Sequence, residues 1–167
     1  MAEPRWLSDE EQCAWRAFLA ATRQVFDELD RELQVDAGMP HTYYMILVSL
    51  SEAAGRCLRM TDLARVTGSS LSRLSHAVNR LESFGWVERR PSPDDRRSAV
   101  AVLTDAGMAV LVDAAPGHVA AVRANLFDRL TPAQVRHLRE VFEAVLAGRD
   151  SPRAPEAAGG PGHRVQG

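Results

Sequence analysis

Ser72, Arg73, Ser75, His76, Asn79 and Arg80 crowd hydroxyls, an imidazole, an amide and two guanidiniums into nine positions. These groups hydrogen-bond to the edges of nucleic-acid bases and to phosphate oxygens. Threaded among them are Leu71, Leu74, Val78 and Leu81, at the i, i+3, i+7 spacing that lines one face of a helix with apolar side chains. A helix over Ser70–Phe84 is therefore predicted, with a core face and a polar face. Ser69 or Ser70 can cap its first turn, and Gly85 stands where a C′ residue leaves the helix in the left-handed conformation. On its own, this pattern also fits an ordinary packed helix with a solvated face.

The neighbouring segments give the polar face its meaning. Before it comes a short helix, Met60–Val66, and a turn at Gly68; after it comes a hairpin, Trp86–Leu103, with Pro91-Ser-Pro-Asp-Asp-Arg-Arg97 at its tip. Helix, turn, helix and hairpin in this order make a winged helix-turn-helix. Packing gives no reason for so charged a tip, whereas a guanidinium on a thin loop suits the negative potential of a narrow minor groove. Asp95, two residues before Arg97, can brace it by a charge-assisted hydrogen bond. The expected DNA-facing set is Ser70, Ser72, Arg73, Ser75, His76, Asn79, Arg80, Arg89, Asp95, Arg96 and Arg97. Arg73, Ser75 and His76 are assigned to the major groove with Ser72 beside them, Asn79 and Arg80 nearer the backbone, Arg97 to the minor groove, and Arg96 and Arg89 to phosphates.

The run Leu63–Glu82, with Arg80-Leu-Glu82, Gly85-Trp-Val-Glu-Arg-Arg90, Asp94-Asp-Arg-Arg97 and Leu103-Thr-Asp-Ala-Gly107, strongly resembles the MarR family of bacterial transcriptional regulators. The resemblance extends over roughly residues 6–147. It implies a homodimer on a double-stranded, pseudopalindromic operator, usually a repressor released by a small ligand. His76 stands where many members carry arginine, so no base preference carries over.

Charge is distributed in keeping with that reading. Residues 56–97 hold nine Arg against five Asp and Glu, a balance of +4; the remainder holds eleven against seventeen, −6, which together recover the net −2. Positive charge thus gathers on the DNA-facing module. The acidic N-terminus and the lack of an apolar run of about 18 residues predict a cytoplasmic protein, nucleoid-associated when bound to its operator, with no membrane partner. Cys13 and Cys57 have neither zinc-site nor disulfide spacing, and Cys57 is expected as a small buried residue in a short strand. No Gly-rich phosphate loop, HExxH or nucleophile elbow occurs, so neither an enzyme nor a cofactor or metal is expected.

The fold class that follows is mainly α with a small β-hairpin wing: a winged helix-turn-helix domain flanked by N- and C-terminal dimerisation helices. Residues 1–147 form a single MarR-type domain, with the winged-helix core at about 37–107 and dimerisation helices at 6–36 and 108–147. The Gly- and Pro-rich residues 148–167 form a disordered tail. The first helix, about Asp9–Asp36, carries a stripe of Trp15, Phe18, Leu19, Thr22, Phe26, Leu29 and Leu33. A long helix capped by Thr104 is expected to kink at Pro116-Gly117. A last helix opens with a capping box at Thr131-Pro-Ala-Gln134. Such terminal helices either complete a monomeric core or interdigitate with a second chain, and the resemblance favours the second. The junction of the first helix, a second at about Pro40–Ser51 and the long helix is the candidate effector site, lined by Trp15, Arg16, His41, Tyr43, Tyr44, Met45 and His118. Aromatic walls with a few polar groups suit a small aromatic or phenolic anion, though Trp15 and the tyrosines equally suit a core or dimer interface. Two further readings are a winged helix used for protein interaction without DNA, and a peroxide-sensing repressor. The second rests on Cys13, whose position is similar to that of the reactive cysteine in hydroperoxide-sensing members.

Overall fold

The computed structural model describes residues 4–92 and 98–150, with side chains as far as residue 147. Residues up to Arg129 form one compact unit and those from Leu130 a second.

In the first unit, helix α1 (Asp9–Ala37) opens with a reciprocal cap: Ser8 Oγ accepts from the Glu11 N–H at 3.2 Å, and the Ser8 N–H donates to Glu11 Oε2 at 2.7 Å. It stops at Gly38, whose φ of 63° is left-handed. Helix α2 (His41–Glu52) is tied to α1 at once, because the His41 N–H donates to Asp30 Oδ1 at 2.8 Å. Then follow β1 (Cys57–Arg59), α3 (Met60–Val66), α4 (Leu71–Ser83), β2 (Val87–Pro91), β3 (Ala99–Leu103) and α5 (Asp105–Asn125).

The sheet order is β1-β3-β2, antiparallel throughout, with Cys57 opposite Val102 and Val87 opposite Leu103. The wing thus has a third strand beyond the expected hairpin, and β2 is an edge. Met39, Ile46, Leu47, Leu50, Leu63, Leu74, Val78, Leu81, Val87 and Ala101 are almost wholly buried, so α2, α3, α4 and the sheet share one core.

Leu103-Thr-Asp-Ala-Gly107 joins the wing to α5. Leu103 is buried, and Thr104 Oγ1 accepts from the Gly107 N–H at 3.0 Å while donating to the Gly85 carbonyl at 2.7 Å. A Cβ on Gly107 would lie 2.1 Å from the Trp86 carbonyl oxygen, so no other residue fits without moving backbone.

Two expectations are corrected. Leu71, assigned to the core face of α4, is 51% exposed, and Ala77 takes its place in the buried strip with Leu74, Val78 and Leu81. Leu71 occupies the first turn, where α4 runs out past the core, and Val66 at the end of α3 is as exposed. Cys57 does lie in a strand but is only half-buried. Helix α5 continues through Pro116, where the missing N–H deprives the carbonyl of Val112, a residue on an exposed face where water can take the bond.

In the second unit, α6 (Pro132–Asp150) begins as its sequence predicts. Thr131 Oγ1 accepts from the Gln134 N–H at 3.3 Å, the Thr131 N–H donates to Gln134 Oε1 at 2.8 Å, and Pro132 is the first helical residue. Val141, Phe142, Val145 and Leu146 are exposed along it.

Candidate nucleic-acid interface

Helix α4 is bounded by local chemistry at both ends. Gly68 has φ 62°, which turns the chain between α3 and α4, and Ser70 Oγ then accepts from the Arg73 N–H at 3.3 Å. At the far end Gly85 takes φ 74°; its N–H donates to the Glu82 carbonyl at 2.9 Å and that of Trp86 to the Leu81 carbonyl at 3.0 Å. This pair of bonds closes the helix in a Schellman turn.

The buried strip of α4 points into the core, and Ser72, Arg73, His76, Asn79 and Arg80 stand exposed on the other side. Arg80 lies over the Phe84 ring, 5.2 Å from its centroid, and Phe84 in turn meets Trp86 at 4.8 Å. That contact directs Arg80 along the helix toward its C-terminal end.

Ser75 is half-buried, because Arg89 of β2 reaches across to it. Arg89 Nη2 donates to the Ser75 carbonyl at 2.7 Å and to Ser75 Oγ at 3.3 Å, and Nη1 donates to Asn79 Oδ1. Glu82 closes the arrangement: its Oε2 is 3.4 Å from Arg89 Nη1, and its Oε1 accepts the Arg89 backbone N–H at 2.8 Å. Arg89, expected on phosphates, is thus turned onto α4. Its partner Glu82 was not singled out as functional, since the sequence marks it only as part of Arg-Leu-Glu. Asp95, Arg96 and Arg97 of the wing tip lie outside the described residues.

The seven expected effector residues separate into groups. His41, Tyr44 and His118 come together: ring centroids are 4.3 Å apart for Tyr44 and His118, and 5.6 Å for His41 and His118. Phe26, which the sequence assigned only to the α1 stripe, joins them at 5.6 Å from His41. Tyr43 packs partly buried against the core, and Met45 is exposed. Trp15 stacks on Phe18 at 5.8 Å, while Arg16 donates to Gln12 Oε1 at 3.2 Å beside an open face of α1 formed with Leu19 and Arg23.

Burial holds both imidazoles below their usual range, His41 against a partly offsetting pull from Asp30, and His118 with a second downward push from His41 and an upward one from Glu32. Burial also raises the Tyr44 phenol. His118 Nδ1 is buried without a hydrogen-bond partner. It borders a pocket of about 60 Å³ between α1 and α5, walled by Glu32, Asp36, Asp113 and Gly117. That volume holds a few waters and falls well below the roughly 300 Å³ at which small-molecule sites begin. Cys13 is exposed on α1. Among the described residues, no group of three or more His, Cys, Asp or Glu is placed to hold a metal, and no helix is long and apolar enough to cross a membrane.

A capped reading helix laid on a three-stranded wing defines a winged helix-turn-helix protein. Residues 37–98 match the model of the MarR family. The chain is similar to the multiple antibiotic resistance protein MarR of Escherichia coli (strain K12), with 30% identity over 62% of this chain and 70% of that protein. It is also similar to the transcriptional repressor MprA of the same organism, with 26% identity over 68% of this chain; the match spans 64% of MprA, less than two thirds of its length. Among solved structures it resembles Sco3205, a MarR family transcriptional regulator from Streptomyces coelicolor in complex with DNA. There the identity is 53%, the TM-score 0.83, and the match covers 89% of this chain and 93% of that one. The chain belongs to the MarR family of transcriptional regulators.

Proposed function

We propose that the protein is a dimeric, sequence-specific DNA-binding repressor that a small ligand releases from its operator. The observation that carries this reading is the exposed arc of Ser72, Arg73, His76 and Arg80 on a helix whose opposite face buries Leu74, Ala77, Val78 and Leu81 in the core. Arg73, His76 and Ser72 enter the major groove, Arg80 lies nearer the backbone, Arg97 enters the minor groove braced by Asp95, and Arg96 meets phosphate. The DNA complex of Sco3205 and the repressor MprA support DNA binding and repression by similarity. Residues 6–36 and 108–147 supply the dimer contacts. The apolar side chains left exposed on α1 and α6 support that role. The dimer acts on chromosomal DNA, and therefore in the cytoplasm.

The effector enters where His41, Tyr44 and His118 meet. Two imidazoles whose burial disfavours their charged form and a buried phenol favour a small aromatic or phenolic molecule, and the rings must part to admit it. Release follows if the ligand binds better to a dimer whose reading helices are misspaced.

The test is a fluorescence-anisotropy titration against the protein's own upstream intergenic DNA and a scrambled duplex at near-physiological salt. The expected result is binding at least about a hundredfold tighter to the former, within the range typical of specific recognition, saturating at two chains per duplex. Equal, weak binding to both, with no site recovered by selection from random sequences, refutes the reading. Replacing Arg73 by Ala is expected to cost about 1–3 kcal/mol on the operator and to relax specificity at its base pair alone. Equal losses on operator and scramble would contradict the groove assignment.

A further inference from the structure

Ser75, Asn79 and Glu82 stand at i, i+4 and i+7 on α4, a single strip along the helix beside its exposed arc. Arg89 covers that strip. Its side chain is 27% exposed and that of Glu82 31%, so this pair is far less open to solvent than Arg90 with Glu88 on the same strand, at 61% and 54%. Both terminal nitrogens of the guanidinium are engaged by α4: Nη2 by the carbonyl and hydroxyl of Ser75, Nη1 by Asn79 and Glu82. Glu82 also satisfies the backbone N–H that Arg89 turns outward from the edge of the sheet. Helix and wing are therefore joined by one side chain through two turns of the helix.

The chemistry of the donor set fixes one more thing. A guanidinium only donates, so the end of the Asn79 amide facing Arg89 must be its oxygen, whatever the local freedom of the ring of partners. With Oδ1 turned to Arg89 and one of its lone pairs engaged, Asn79 presents to DNA chiefly the two hydrogens on Nδ2. An asparagine free at both ends pairs with adenine by donating and accepting together. Asn79 held this way favours acceptors, such as a phosphate oxygen, guanine O6 or N7, or thymine O4.

We infer that Arg89 is a positioning residue for operator recognition: it clamps the wing to the reading helix and sets Asn79 as a donor, rather than neutralising a phosphate. This inference rests on the DNA-binding reading above and deepens it.

The test uses full-length protein and a duplex selected from a random library by the wild type, with a scrambled duplex beside it. Arg89→Met removes the charge, and Arg89→Lys keeps the charge while losing the planar fork. A phosphate contact and a clamp then separate. As a clamp, both variants lose roughly tenfold or more on the selected duplex and about twofold or less on the scramble, and the slope of log K against log salt stays within about 0.3 of the wild type. As a phosphate contact, Lys substitutes well, while Met weakens both duplexes alike and reduces the slope by about 0.9; that result overturns the inference.

The cycle of Arg89→Lys, Asn79→Ala and the double variant covers the case in which Arg89→Met fails to fold. If Arg89 acts through Asn79, the double variant loses no more on the selected duplex than the worse single one. Fully additive losses overturn the coupling. If the wild type itself selects no sequence, the DNA-binding reading fails and takes this inference with it, an outcome distinct from a discriminating wild type whose Arg89 variants behave as phosphate mutants.

Discussion

Gly107 illustrates what a residue can carry that its neighbours in sequence do not explain. The run Leu103-Thr-Asp-Ala-Gly107 is legible as a motif, and the Thr104 cap can be read from it directly. The need for glycine cannot, because the obstacle is the Trp86 carbonyl, 21 positions earlier and 2.1 Å from where a Cβ would stand. Gly107→Ala is expected to destabilise by about 1–3 kcal/mol through overpacking against backbone, read as a lower urea midpoint at unchanged m. A midpoint equal to the wild type would mean the turn has room to shift. The histidines show the same limit: His41 and His118 are 77 positions apart, and only the fold makes neighbours of them. Both are depressed in the folded state, so between their folded and unfolded values the unfolded chain binds more protons. Stability therefore rises with pH there; it is full above about 6.5, the ordinary histidine value, and falls as pH drops below it until the folded values are passed. Urea titrations from pH 7.5 to 5 should show this loss, and His118→Gln should reduce it. An identical pH profile in that variant would remove His118 as its source.

Elements were more readable than their surroundings. Sequence pattern placed α1, α3 and α4 within a residue or two, and the caps read at Ser69 or Ser70, Thr104 and Thr131 marked true starts, with Ser70 the one formed at α4, because those signals are local. Periodicity says which face is apolar but not what covers it. Leu71 has the right spacing for the core and lies beyond its edge; Ser75 and Asn79 read as polar face and are held by a strand residue. The stripe on α1 divides the same way: Leu29 and Leu33 are buried, whereas Trp15, Phe18, Leu19 and Phe26 are between 42% and 52% exposed. Four large apolar side chains on one helix make a patch that a solvated surface does not favour. If a second chain covers it, Leu19→Glu should lower the mass measured by light scattering from two chains to one at micromolar concentration, with little change in far-UV circular dichroism. A variant still wholly dimeric would place the interface elsewhere.

At the scale of the whole molecule, charge and symmetry set different quantities. The +4 balance of residues 56–97 against −6 elsewhere draws phosphates to that segment rather than to the rest of the chain, which governs approach but distinguishes no sequence. In the proposed dimer, discrimination comes from two reading helices seated together, and a two-fold pair reaches successive major grooves only at a separation of about 34 Å. In such a dimer, whatever holds the two chains together acts on DNA affinity through distance, although it touches no base. Inserting five base pairs between operator half-sites turns the second half-site to the opposite face of the duplex, since a full turn takes about ten. Affinity should then fall to that of a single half-site, while a ten-pair insertion restores the face but not the distance and should recover little of it. Unchanged binding to both spacings would mean that the two chains engage DNA independently. A ligand acting on helix spacing would then have nothing to control, and release would have to come from within each reading helix.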